Sequence, residues 1–171
     1  PTLWAELLDR LIPFWADAGL IPSPAPHELL PTLRLLVPLV QERLKTLRDV
    51  IDLTDFVFQK VPTPPVEALI GKKMTAEQSL DAIRETQKLL SSLLQFNPEA
   101  MEPEMRALAE RLGLKAGQLF TIIRNAVTGK QVSPPLFGSI QAVGRETTLR
   151  RLEVAEEVLA AHLEAGAGTA A

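Results

Sequence analysis

The chain contains no cysteine and no tyrosine, and its only histidines are His27 and His162. Without cysteine there is no thiol nucleophile, no thiolate metal ligand and no disulfide framework. Nothing then demands an oxidising compartment, and a cytoplasmic location is the default expectation. The two histidines lie far apart in sequence with no second histidine or carboxylate at ligand spacing, so no metal site is expected. Long apolar runs are also missing: the longest, Leu35 to Val40, includes Pro38. A bilayer span needs roughly twenty apolar residues, so no membrane helix is expected. The chain opens Pro1-Thr-Leu-Trp4 without methionine or a basic leader, and Glu6 and Asp9 sit where a signal peptide is apolar. It reads as a piece of something longer.

Signatures of catalysis are equally scarce. Ser91, Ser92, Ser133 and Ser139 stand in plain helix or cap contexts, away from any strained elbow or partnered base. Gly129-Lys130 is followed by Gln131 and lacks the upstream glycines of a phosphate-cradling loop. Lys72-Lys73-Met74-Thr75 reads as a helix lead-in. Only eight aromatic residues are present, which disfavours a generic single-strand stacking platform. Trp4, Phe14, Trp15, Phe56, Phe58, Phe120 and Phe137 fall on apolar stripes and are expected in the core.

What remains is ordinary globular material, 171 residues with 46% apolar and 23% charged side chains. That suffices for one compact domain or two small ones. The formal charge of −3 conceals a polarity. Residues 106–151 hold Arg106, Arg111, Lys115, Arg124, Lys130, Arg145, Arg150 and Arg151 against only Glu110 and Glu146. The flanking segments are acidic. Such a region suits an anionic partner, but the same cations equally serve as solvated helix faces balanced in space by acids.

Apolar residues recur at three- and four-residue spacing throughout, and no segment alternates with period two, so the chain is expected to be all-α with about eight helices. Leu3, Leu7, Leu8, Leu11, Phe14 and Trp15 predict a first helix ending near Gly19. A second, from about 26 to 45, is expected to kink at Pro38. A short one covers Val50 to Phe58. Three prolines in Lys60-Val-Pro-Thr-Pro-Pro65 mark a boundary. The expected organisation is a helical subdomain over 1–60, a proline-rich linker over 61–65, a second helical subdomain over 66–165 and a frayed tail over 166–171. Thr75 and Gln78 have capping-box spacing ahead of a helix over about 76–95 whose apolar face includes Leu93 and Leu94. Asn97-Pro98 starts another that Gly113 ends. A helix over about 116–127 stops at Gly129. Ser133-Pro134 predicts a capped start for the next, terminated by Gly144, and a last helix spans about 146–164.

Two turns stand out. In Arg43-Leu-Lys45-Thr-Leu47 a helix bearing two cations breaks. In Thr128-Gly-Lys-Gln-Val-Ser-Pro-Pro-Leu-Phe137, flanked by Arg124, the N-terminus of a helix favours an anion.

Gly113-Leu-Lys-Ala-Gly-Gln-Leu-Phe120, Arg124-Asn-Ala-Val-Thr-Gly129, Ser133-Pro-Pro-Leu-Phe137 and Gly144-Arg-Glu146 resemble, in order and spacing, the C-terminal anticodon-binding region of bacterial glutamyl-tRNA synthetases, which are class I enzymes. Leu11-Ile-Pro-Phe14, Ala18-Gly-Leu20 and Arg43-Leu-Lys-Thr-Leu47 look like the start of that region, so the resemblance covers nearly the whole chain. It implies a helical bundle, or cage, that recognises the anticodon loop of glutamate tRNA, reading splayed-out bases on their edges. In the family the arginine of the Arg-x-x-Thr-Leu turn reads the third anticodon base, and Arg43 occupies that place. Its planar donor fork suits two acceptors on one base edge or phosphate. Arg124 matches the arginine before the Thr-Gly turn. Ser133, Pro134 and Leu136 match residues that contact the first two anticodon bases, Leu136 by packing on a base face. Thr121 stands where some relatives carry glutamine, which puts a hydrogen bond from that position in doubt. Lys130, outside the resemblance, is expected to contact phosphate.

The signatures of the family's catalytic domain are missing from these residues. The chain is therefore not expected to aminoacylate; ATP and magnesium would belong to that domain, itself a partner in the same parent polypeptide, a glutamate–tRNA ligase. No cofactor is expected here, and a monomer is. Possession of Arg43 leans toward a parent enzyme that charges one tRNA only. A different class of function, a helical protein-interaction scaffold with a basic docking face, remains open on charge alone.

Overall fold

The computed structural model describes residues 3–169. Those residues form nine α-helices joined by loops and three short 3-10 turns, with no strand among them. The all-α expectation holds, and the extra helix is a single turn too short to show periodicity.

Helix α1 (Leu3–Asp17) buries Leu8, Leu11 and Trp15, one stripe at helical spacing. Trp4, on the expected stripe, is instead half exposed at the open end of the helix. The Trp15 indole N–H donates to Thr54 Oγ1 at 2.9 Å, and that hydroxyl donates to the Val50 carbonyl at 2.6 Å, so both buried polar groups are satisfied. Helix α2 (Leu30–Val40) buries Leu33, Leu36, Val37 and Val40. It leaves α-geometry two residues past Pro38, earlier than the sequence suggests, and continues as a 3-10 turn over 41–43. Helix α3 (Val50–Phe58) follows a second 3-10 turn over 47–49.

The proline-rich segment is extended and leads into the one-turn α4 (Val66–Leu69). Helix α5 (Ala76–Ser92) starts with the expected capping box: Thr75 Oγ1 accepts the Gln78 N–H, and Gln78 Oε1 accepts the Thr75 N–H. It ends before Leu94, which is fully exposed rather than part of the apolar face. Helices α6 (Pro98–Arg111) and α7 (Ala116–Thr128) are bounded as the sequence predicts, with Asn97 Oδ1 accepting the Ala100 N–H and Gly129 in the left-handed region at φ 69°. Helix α8 (Leu136–Val143) and helix α9 (Arg145–Thr169) complete the fold. The α9 backbone stays helical past Gly166, where fraying was expected. Ala160, Ala161, Ala165 and Ala167 are the best helix formers and offset the glycine cost of about 1 kcal/mol. Residues 170 and 171 of the expected tail lie outside the described residues.

The apolar side chains gather into two clusters. One joins α1, α2 and the start of α3 around Leu11, Trp15, Leu33 and Leu36. The other joins α4 to α9 around Ile83, Met101, Met105, Leu119 and Leu152, with α5 and α9 packed along each other. Helix α8 belongs to both: Leu136, Phe137 and Ile140 enter the second cluster and Ala142 the first. Polar ties cross the same divide. Arg151 donates to the carbonyls of Val127, Phe56 and Gln59, closing the C-terminal ends of α7 and α3 at once. Helix C-termini present unpaired carbonyls with a negative dipole, which is what a guanidinium suits.

Candidate nucleic-acid interface

The turn carrying Arg43 is held by its neighbours. Asp49 accepts the backbone N–H groups of Lys45 and Thr46, each at 2.9 Å, and the Thr46 hydroxyl at 3.1 Å. The two backbone donors, Thr46 first and Lys45 second, hold the Asp49 carboxyl below its ordinary value of 3.8. Arg43 itself is exposed, and its guanidinium reaches back to the Leu39 carbonyl at 3.4 Å.

Leu39 sets where this turn lies. It packs on α8 at Gly138, where an added Cβ would fall 2.3 Å from Leu39 Cδ2 and 3.3 Å from Cγ. Glycine leaves the space to Leu39, and a side chain at 138 would push the Leu39 side chain aside. The consequence is that the end of α2 arrives beside the segment leading into α8.

Arg124, near the end of α7, organises that segment. Its Nη1 donates to the Ser133 hydroxyl and, at 3.0 Å, to the Pro134 carbonyl. Burial first, and the positive charge of Arg43 second, lower its pKa below the ordinary arginine value. An arginine keeps its proton nonetheless. Arg43 and Arg124, 81 positions apart in the chain, therefore stand within reach of each other's field. The turn between is pinned from its other end: Thr128 Oγ1 donates to the Arg124 carbonyl and accepts the Lys130 N–H, and Gly129 lies so close to Val61 that a Cβ would meet Cγ1 at 2.7 Å.

The structure places the remaining sequence candidates differently from expectation. Ser133 is buried and does not cap α8, whose N-cap residue is Pro135 with no side-chain cap bond. The cause is the second proline: a residue preceding proline is driven from the helical region, so Pro134 cannot be the first helical residue and the start slips to Leu136. Leu136 is 4% exposed and packs into the second apolar cluster. Lys130 is drawn toward α3, pairing with Asp55 at 2.8 Å and donating to the Asp52 carbonyl. Pro134 is buried, and its carbonyl accepts from Arg124 and the Ser133 and Ser139 hydroxyls. What the turn shows to solvent is Gln131, Val132 and Pro135, residues that sequence reasoning passed over.

The basic segment is also largely engaged within the molecule. Arg145 donates to the Leu90 and Leu93 carbonyls at the end of α5 and lies over Phe96. Arg106 pairs with Glu102 and covers Phe120, and Arg150 pairs with Glu146. The cation whose charge acts on Arg124, Arg43, comes instead from the acidic first third of the chain.

Residues 6–156 match the model of a family described as anticodon binding domain. The chain belongs to that family. Among curated proteins it is 45% identical to the glutamate–tRNA ligase of Roseiflexus castenholzii over 156 residues, covering 91% of this chain and 31% of that protein. It is 41% identical over 153 residues to the glutamate–tRNA ligase of Chloroflexus aurantiacus, covering 88% of this chain and 30% of the relative. The chain thus spans about a third of the length of these relatives. Its fold is similar to part of a solved glutamate tRNA ligase from Elizabethkingia meningosepticum, with a TM-score of 0.72 at 21% identity over 92% of this chain and 30% of that one.

Proposed function

We propose that the chain recognises the anticodon loop of glutamate tRNA on behalf of a glutamate–tRNA ligase, the remainder of that enzyme supplying the catalytic domain with its ATP and magnesium. The observation that carries this reading is that Arg124 holds the turn over Ser133 and Pro134 while the exposed Arg43, 81 positions away, acts on it through its charge. Two like charges acting on each other are unfavourable in the free protein and become favourable once an RNA phosphate or base acceptor enters between them. Arg124 projects from α7 and Arg43 from a turn that Asp49 holds, which lowers the ordering cost of binding. In this reading Arg43 reads the third anticodon base, and Arg124 holds Ser133 and Pro134 in place beside the first two. The chain acts as a monomer in the cytoplasm.

A basic docking scaffold is the weaker reading, because Arg145, Arg151 and Lys130 are turned inward onto carbonyls and an acid. Direct binding distinguishes the two. The chain is titrated at fixed salt with glutamate tRNA and with the same tRNA carrying a transplanted, unrelated anticodon loop. The proposal expects a loss of about ten-fold or more for the transplant, since wrong bases at a read site cost about 1–3 kcal/mol each. Equal affinities refute it.

A further inference from the structure

We infer that Arg151 is a positioning residue for anticodon discrimination: without touching RNA, it fixes the Arg43 turn relative to the turn that Arg124 organises. This rests on the anticodon reading and adds to it the group that aligns the two arginines. They stand on different halves of the molecule. Arg43 comes from the α2–α3 connection, beside the first apolar cluster, and Arg124 from α7, whose apolar face lies in the second. Apolar burial is non-directional, so it holds two halves together more firmly than it sets their register. Hydrogen bonds with defined geometry set the register.

Arg151, on α9, donates through Nη1 to the Val127 carbonyl at 2.7 Å and through Nη2 to those of Phe56 and Gln59 at 2.8 and 3.1 Å. Val127 lies three residues past Arg124 on α7. Phe56 lies on α3 and Gln59 caps its end, while the start of α3 follows directly on Asp49, whose carboxylate holds the Arg43 turn. One planar fork thus spans the two helices next to which the two turns are built. Val127 and Phe56 sit in last helical turns, where carbonyls lack intrahelical partners and a guanidinium makes strong bonds to them. Lys130 reaches the same helix, at Asp55 and the Asp52 carbonyl. Positions 52, 55, 56 and 59 recur at three- and four-residue spacing, so two cations of the basic segment hold one stripe of α3. Burial first, and Arg150 second, lower the Arg151 pKa below the ordinary arginine value, but an arginine keeps its proton, so the tie persists. Arg150 is exposed and pairs with Glu146 on its own helix.

The test titrates this whole chain with glutamate tRNA and with the same tRNA changed only at its third anticodon base. The parent is expected to favour the first about ten-fold or more. Arg151→Gln is expected to lower that ratio about three-fold or more, the scale on which residues that touch no ligand modulate coupling. Arg150→Gln removes the same charge one residue away without freeing α3 and is expected to keep the parent's ratio. In an Arg43→Ala background Arg151→Gln is expected to lower the ratio no further, because it acts through Arg43. A loss of stability alone leaves the ratio unmoved, since both tRNAs draw on the same folded fraction. Thermal melting places the assay below the transition of every variant. If Arg151→Gln does not fold, Arg151→Lys, which keeps the cation but loses the fork, takes its place with the same expected direction. If the parent discriminates through Arg43 while the folded Arg151 variant discriminates equally well, or Arg150→Gln lowers the ratio as much, the inference is overturned and the anticodon reading survives. If the parent does not distinguish the two tRNAs, both fall.

Discussion

Gly138 of α8 and Leu39 of α2 are in such close contact that a single added carbon at 138 would sit 2.3 Å from the leucine methyl. That contact ties α8 to α2 at the residue whose carbonyl the Arg43 guanidinium reaches. Gly138→Ala makes two opposing changes. Alanine gains about 1 kcal/mol of helix propensity over glycine, while overpacking of this kind costs about 1–3 kcal/mol. The expected net loss of stability is therefore small, about 0–2 kcal/mol. RNA binding is expected to fall a few-fold, because Leu39, whose carbonyl the Arg43 guanidinium reaches, must shift to make room. Chemical denaturation and an RNA titration on the same variant separate the two. Normal affinity with reduced stability would detach this contact from the site.

Arg124→Lys tests whether Arg124 acts as an organiser. An ammonium replaces the planar fork that serves Ser133 and Pro134 together. The Pro134 carbonyl keeps the Ser133 and Ser139 hydroxyls, so what is lost is the charged hydrogen bonding, about 1.5–3 kcal/mol. Lysine keeps the charge, so a pure charge role predicts near-normal binding, whereas the organiser role predicts a loss of about ten-fold. Faster amide exchange across 130–135 accompanies the loss if the turn has loosened.

The share of this that the sequence reveals is uneven, for physical reasons. Helix positions are legible because the apolar stripe of an amphipathic helix repeats locally, as at Leu8, Leu11 and Trp15, and because caps such as Thr75 and Asn97 act within three residues. The start of α8 is misread because the cap-then-proline pattern at Ser133-Pro134 is overridden by one further residue, Pro135. The part played by the basic segment stays open in the sequence because the role of Arg145 or Arg151 depends on which helix C-termini lie nearby in space. The turns of Arg43 and Arg124 stand out locally, but only a family pattern joins them into one site, since nothing local marks a pair separated by 81 positions. Gly138 does carry a signal: a lone glycine inside a helical stretch often marks a close approach.

Lys130 offers a decisive salt experiment. As a phosphate contact it would contribute about one unit to the dependence of log affinity on log salt. Paired with Asp55, with the two side chains 29% and 31% exposed, it contributes stability instead, up to about 1 kcal/mol. Lys130→Ala is expected to leave the salt slope nearly unchanged, and Arg43→Ala to reduce it. A double-mutant cycle with Asp55→Ala measures the pair. A slope change for Lys130→Ala matching that of Arg43→Ala would return Lys130 to the RNA contacts.

Acid should loosen the Arg43 turn through Asp49. Its carboxyl is held below 3.8 by the Thr46 and Lys45 N–H groups, so the folded pKa is depressed. The sign follows from linkage: the contribution is fully present above the ordinary value and is lost as pH falls through the lower, folded one. Asp49→Asn is expected to flatten the part of the acid stability profile below about pH 4 that this group supplies. It should also weaken RNA binding at neutral pH by a few-fold, through poorer holding of residues 41–49. An unaltered acid profile would show that Asp49 is not coupled to folding.

The central claim is that Arg43 reads the third anticodon base. Affinities are measured for four pairings at one salt concentration: parent chain or Arg43→Ala, with glutamate tRNA or the same tRNA changed only at its third anticodon base. The account predicts that the base change costs the parent about 1–3 kcal/mol and the variant far less, so that the two changes are strongly coupled. Additive losses, with the variant still discriminating as well as the parent, would contradict it.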